Sequence, residues 1–121
     1  MNKKGEVGAI GEEATTLFLK KKGYLIIDRN RRMPGGEIDI IARDPQGVLV
    51  FIEVKTMSSD KETDLMPEDH ATAAKLRKMR QAAMLFAGSR SDLIREDKGW
   101  RIDLVAVTLS VPMKIVHYEN V

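Results

Sequence analysis

Cysteine is absent from the 121 residues, so a disulfide framework, a thiolate metal site and a cysteine nucleophile are all excluded. Histidine is nearly as scarce: His70 and His117 stand alone in the sequence, which leaves no imidazole cluster suited to zinc or copper. No apolar run approaches the roughly 20 residues of a membrane-spanning helix. The opening Met1-Asn2-Lys3-Lys4-Gly5-Glu6 also lacks the apolar stretch of a signal peptide, so a cytoplasmic protein with no membrane partner is expected. Neither sign of charge dominates. Lys and Arg number 20 against 18 Asp and Glu, an excess of +2 that by itself announces no nucleic-acid partner. Internal repeats and low-complexity segments are missing as well. What remains is a 43% apolar chain of one domain's length, enough for a single core spanning residues 1–121.

Between Lys4 and Lys22 the apolar residues Val7, Ile10, Ala14, Leu17 and Phe18 recur at three- and four-residue steps, and Gly23 follows as a helix stop. The spacing predicts an N-terminal helix. Gly8, Glu12, Thr15 and Leu19 form a second, mostly small or apolar stripe carrying one acid, so burial on two sides is expected. Tyr24–Asp28 reads as a strand, followed by a basic connection from Arg29 to Gly36. Glu37–Arg43 and Val48–Thr56 are β-type runs around the turn Asp44-Pro45-Gln46-Gly47, an antiparallel hairpin. Met57–Asp69 reads as a polar loop, Pro67 as a residue near the start of a second helix, and Leu76, Met79, Ala83 and Phe86 as that helix's apolar face up to about Ala87. Trp100–Val107 and Lys114–His117 supply two more strands. The pattern predicts a mixed α/β sandwich around one sheet.

The hairpin carries the chemistry. Glu37 and Asp39 are two residues apart, as are Glu53 and Lys55, and strand residues two apart point to one face. Ile38, Ile40 and Ile41 surround Asp39, and Val50, Phe51, Ile52 and Val54 surround Glu53, a setting in which ionised carboxylates are costly. Two like charges about 4 Å apart repel by about 4 kcal/mol at an effective dielectric near 20. A divalent cation offsets that repulsion directly, and oxygen donors favour Mg2+ or Mn2+. Spacing alone fits a solvated strand face equally well. In the second helix, Lys75, Arg77, Lys78 and Arg80 lie within six positions, and Lys75 and Lys78 share a face. With Arg29, Arg31 and Arg32 they are candidates for phosphate contacts that position DNA without reading its sequence, or else a solvated basic surface.

Gly36-Glu37-Ile38-Asp39 ahead of Val50-Phe51-Ile52-Glu53-Val54-Lys55 resembles the core of the PD-(D/E)xK nucleases. More narrowly, the chain resembles the YraN family, small bacterial proteins similar to archaeal Holliday-junction resolvases. Gly8-x-x-Gly11-Glu12, Leu19, Gly23, Asn30-x-Arg32, Gly36–Ala42, Phe51–Lys55, Lys75, Lys78 and Arg101-x-Asp103 carry that resemblance from about residue 5 to 107. It implies a restriction-endonuclease-like α/β fold, with a mixed central sheet of about five strands flanked by helices. It also implies a Mg2+- or Mn2+-dependent endonuclease acting on DNA, with branched or flapped DNA among the candidate substrates and a 5′-phosphate and 3′-hydroxyl as products.

In that reading Asp39 and Glu53 hold the metal, with the carbonyl of Val54 as a further ligand. Lys55 orients or deprotonates the attacking water, Glu12 is an additional acid, and Glu37 is left between ligand, supporting group and solubilising charge. With Glu12, Asp39 and Glu53 neutralised by metal, 15 acids face 20 bases, a balance better suited to nucleic acid. Arg32, Lys75 and Lys78 are the binding candidates. Two positions depart from the family pattern: Met57 stands where an arginine is common, and Arg31 where an aromatic is. Arg101 and Asp103 read as a surface ion pair. Resolvase-like relatives act as symmetric dimers, which raises a homodimer here, although no segment of the sequence marks an interface. The competing reading is a catalytically silent nucleic-acid-binding or protein-interaction module on the same fold.

Overall fold

The computed structural model describes residues 5–58, 73–95 and 97–121. Helix α1 runs Gly5–Lys21, followed by strands β1 (Leu25–Met33), β2 (Gly36–Arg43) and β3 (Leu49–Ser58). Helix α2 (Ala73–Ser89) and a single 3-10 turn (Ser91–Leu93) lead to β4 (Trp100–Leu109) and β5 (Lys114–Tyr118). Most of the predicted loop 57–69, the predicted helix start at Pro67, and His70 lie outside the described residues, while Met57 and Ser58 extend β3. The five strands lie in sequence order in one sheet. All neighbours are antiparallel except β3 and β4, which run parallel. Parallel neighbours require a crossover, and α2 lies within it. The result is the mixed five-stranded sheet flanked by helices that the restriction-endonuclease-like reading implies.

Two cores sandwich the sheet. Under α2, Met79, Ala82, Ala83 and Phe86 pack on Ile38, Ile41, Leu49, Phe51 and Ile102. Phe51 sits edge-on to both Phe86 and Trp100, with ring centroids 5.8 and 5.3 Å apart. On the other face, Leu19 of α1 and Tyr24 pack on Ile40, Ala42, Val50, Ile52, Val105 and Val107. Strands covered on both sides must be apolar at nearly every position, which is why β2 and β3 read as continuous hydrophobic runs.

Two expectations are corrected. The basic stretch after Asp28 is not a connection: Arg29–Met33 continues β1, and only Pro34 and Gly35 form the turn into β2. Proline first and glycine second, with Gly35 at φ +86°, is a type II arrangement. Helix α1 is buried on one side, not two. Gly11, Glu12, Thr15, Thr16 and Leu19 face the sheet, whereas Ile10 and Leu17 of the regular apolar stripe are 49% and 53% exposed. The close approach explains the choice of small residues. A Cβ at Gly11 would collide with the Thr56 side chain, so only glycine lets α1 press against β3 there.

Candidate active site

The β2–β3 ladder pairs Arg43 with Leu49 and ends at Ile40–Ile52. Beyond that point β2 continues along β1 alone. The parting falls at Asp39, and the backbone is irregular on both strands there. Ile38 belongs to the core under α2 but Ile40 to the core under α1, so the two-residue alternation slips between them. Across from Asp39, between the pairs Arg29–Ile40 and Arg31–Ile38, Asn30 adopts φ +52°, a left-handed conformation that asparagine tolerates better than most residues. Where the backbone of β2 no longer bonds β3, the Asp39 side chain does so. The Val54 N–H donates to Asp39 Oδ2 at 2.8 Å. That bond fixes a carboxylate only 3% exposed.

Glu53 and Lys55 lie beside this bond on β3. Glu53 is half-buried, and its Oε2 lies 3.8 Å from Nζ of Lys75 at the start of α2. Because Lys75 is half-exposed, the pair contributes under about 1 kcal/mol and is readily exchanged for another partner. Two clefts adjoin at Glu53 and Lys75. One, of about 290 Å3, brings Glu37, Asp39 and Glu53 together with Lys75 and Lys78. The other, of about 250 Å3, brings Glu12 of α1 together with Glu53, Val54, Lys55 and Lys75. Glu12 is 3% exposed and reaches this cleft because Gly11 seats the helix on Thr56.

Glu12, Asp39, Glu53, Val54, Lys55, Lys75 and Lys78 each line one of these two adjoining clefts, whereas Arg32 and the further basic candidates Arg29, Arg31, Arg77 and Arg80 do not. Arg32 is exposed on β1, in register with Glu37 and outside both. Its neighbours are engaged elsewhere: Arg29 pairs with Glu13 at 3.0 Å and Arg31 with Asp28 at 3.3 Å. Gly8, Thr56 and Met79 also line the clefts; the sequence placed Gly8 on a helix stripe and Met79 on a core face, and none of the three among the site residues. Gly8 and Gly11, one helical turn apart, were the available signal that α1 approaches the sheet closely there.

The donor set fits a hard divalent ion. Asp39 and Glu53 share the first cleft, and Val54, whose carbonyl is the further candidate ligand, lines the second beside Glu53. Among the described residues no group of three or more His, Asp or Glu side chains is gathered as a ready-made cage. Mg2+ does not require one, since it commonly binds through one or two carboxylates and keeps water or phosphate oxygens on its other positions.

A second charged cluster is centred on β4, where Asp103 is in register with Ile52, and it overturns two expectations. Arg101 and Asp103 are not a surface pair, and His117 is not isolated. Asp103 is fully buried, accepting from Arg101 Nε at 2.9 Å, the Asn120 N–H at 2.9 Å and His117 Nε2 at 2.7 Å. Arg101 also donates to Asp44 Oδ2 at 2.7 Å and to the Tyr24 hydroxyl at 3.0 Å. His117 Nδ1 lies 3.0 Å from Lys22 Nζ. An ammonium can only donate, so Nδ1 accepts and Nε2 carries the proton given to Asp103.

Burial opposes ionisation of Asp103, but His117, Arg101 and the Asn120 amide outweigh it and hold the carboxyl below its usual range. Asp44 is lowered in the same way: burial is overcome by Arg101 and by the amides of Val48 and Gln46. Burial likewise opposes the charge on Arg101, and Asp103 and Asp44 raise its pKa above the ordinary value nonetheless. Burial is also the main cause of the raised pKa of the Tyr24 phenol.

Among known proteins, the model of "Uncharacterised protein family UPF0102" matches residues 11–107. The chain is 34% identical to a UPF0102 protein of Dictyoglomus thermophilum over 98% of its own length and 95% of that protein's. A UPF0102 protein of Moorella thermoacetica is 38% identical over 93% and 88% of the two chains. One from Symbiobacterium thermophilum is 44% identical over 84% and 80%. This is the family to which the sequence motifs pointed, and the names of these relatives state no activity.

Proposed function

Since this chain belongs to the UPF0102 family, whose name carries no activity, we propose a function from its own site: a divalent-metal-dependent endonuclease that hydrolyses phosphodiester bonds of DNA. The observation that carries the reading is the Asp39–Val54 bond. It locks a buried acid at the point where two strands part, on a cleft shared with Glu53 and next to one holding Lys55 and Glu12. A locked carboxylate loses little freedom when it takes a ligand, as a preorganised catalytic group should.

Asp39, Glu53 and the Val54 carbonyl are the groups that would hold Mg2+ or Mn2+. The ion, when bound, supplies charge neutralisation at the phosphate and a water of lowered pKa. The remaining steps belong to the chain's own side chains. Lys55 orients the attacking water or accepts its proton, and Glu12 stands on the far side of Glu53 as a second acid for the same task. Lys75 and Lys78 flank the first cleft and offer their ammonium groups to phosphate oxygens, and Arg32 extends the positive edge along β1.

The test is cleavage of labelled four-way junction, flap, single-stranded and linear duplex DNA with Mg2+ or Mn2+, beside an Asp39→Ala protein purified identically. Cleavage by the parent alone supports the reading and ranks the substrates. Salt-dependent DNA binding without cleavage of any of the four would overturn it in favour of a binding module on the same fold.

A further inference from the structure

We propose that the outward face of α1 is a self-association surface, on which a second copy of this chain docks with its own α1 antiparallel, about a two-fold axis near Glu13 and Ala14. The face is not the one used for folding. With Gly11, Glu12, Thr15, Thr16 and Leu19 turned to the sheet, Ile10 and Leu17 lie on the opposite side, and Ala9, Ile10, Glu13, Ala14 and Leu17 line an open groove of about 410 Å3. Its lining is almost wholly apolar. The single acid in it, Glu13, is already held by Arg29 at 3.0 Å. Seven residues separate Ile10 from Leu17, with Glu6 and Lys20 or Lys21 beyond them. This is a short seam of the kind that packs helix on helix.

Charge along the seam selects the occupant and its direction. Acid lies in the first turn of the helix, at Glu6, and base in the last turn, at Lys20 and Lys21, while Glu13 sits at the midpoint, where its pair with Arg29 offsets its charge. In an antiparallel pair centred between Glu13 and Ala14, Ile10 meets Leu17 of the second copy and Glu6 meets Lys21. A parallel pair would set acid on acid and base on base. A surface complementary to itself only after a half-turn is the signature of an isologous contact. One helix of 17 residues, about 25 Å long, gives a contact at the small end of specific interfaces, so the dimer is a weak one that forms at micromolar or higher concentration. The clefts stay open in it, because Glu12 points the other way, into its own sheet.

Sedimentation velocity on the full chain, from micromolar to several hundred micromolar, reads the assembly directly. A concentration-dependent monomer–dimer equilibrium is expected. Leu17→Glu weakens it by roughly tenfold or more, with the far-UV dichroism unchanged because Leu17 is exposed. Glu6→Lys and Lys21→Glu each weaken it, and the double variant regains the parent's association because the charges are exchanged. The chain has no cysteine, so Ala14→Cys is a clean reporter. A short bis-maleimide links it into dimers under conditions where Met84→Cys, exposed on α2, stays monomeric. A chain monomeric throughout, a dimer indifferent to Leu17→Glu, or a double variant no better than the single ones would each overturn the proposal. None of these outcomes bears on the endonuclease reading.

Discussion

The two charged clusters differ in how completely they are closed. On β4, Asp103 collects three donors from β4, β5 and the C-terminal segment, and Arg101 ties it to Asp44 and Tyr24. Around the parting of β2 and β3, Asp39, Glu53, Glu37 and Glu12 line open clefts edged by lysines. The closed cluster is an interior made to tolerate charge. The open one keeps acids beside apolar strands with space in front of them, an arrangement that rewards an incoming cation or phosphate. Abundance of charge does not separate structure from chemistry in this molecule; access does.

Breaking the closed cluster has the largest expected effect. Asp103→Ala leaves a buried guanidinium and imidazole without their shared acceptor, a loss of about 3–5 kcal/mol and on the order of 10–20 °C in melting temperature. Calorimetry reads that loss, and cleavage per folded molecule stays constant. Asp39→Asn reverses the pattern. The amide oxygen still accepts from Val54, so stability changes by about 1 kcal/mol or less, while metal-dependent cleavage falls roughly 10²–10³-fold. Equal melting temperatures with unequal rates in a gel assay would sharpen the contrast.

Replacing Asn30 with valine forces a β-branched residue into a left-handed conformation opposite Asp39, at a cost of about 1–2 kcal/mol, whereas Asn30→Gly is tolerated. Paired denaturant midpoints check this. Asp44 and Asp103 have folded pKa values below their unfolded ones, so their stabilisation is present above the unfolded carboxylate pKa of about 4 and disappears as pH falls through the folded values. Urea midpoints should therefore drop on the acid side of pH 4, and less steeply in Asp103→Asn. The smallest effect is electrostatic. Lys75→Ala or Lys78→Ala weakens DNA binding about equally for all sequences and lowers the salt slope by about one, as a titration in increasing NaCl would show.

Much of this was legible in advance, for local reasons. The hairpin carrying Asp39 and Glu53, its turn at Asp44 and the face of α2 follow from short-range spacing and turn chemistry. Structure departs from the local pattern where the deciding partner is remote. Arg101 reaches Asp44 and Tyr24, 57 and 77 positions away, so nothing around it in the sequence reveals a buried network. β1 is an edge strand with exposed arginines and a left-handed Asn30, and without apolar alternation its second half resembled a loop. Helix α1 departed from expectation because tight packing on β3 demanded glycine and threonine beside Leu19 inside, leaving Ile10 and Leu17 outside.

The hydrogen bond from Val54 to Asp39 also equips the molecule with an internal observer. The amide proton of Val54 rests on the very carboxylate that a cation or a substitution would alter. Its resonance in a nitrogen-labelled sample should shift with each of those events. A backbone signal can thus follow the electrical state of a buried side chain without a probe in the cleft and without waiting for turnover.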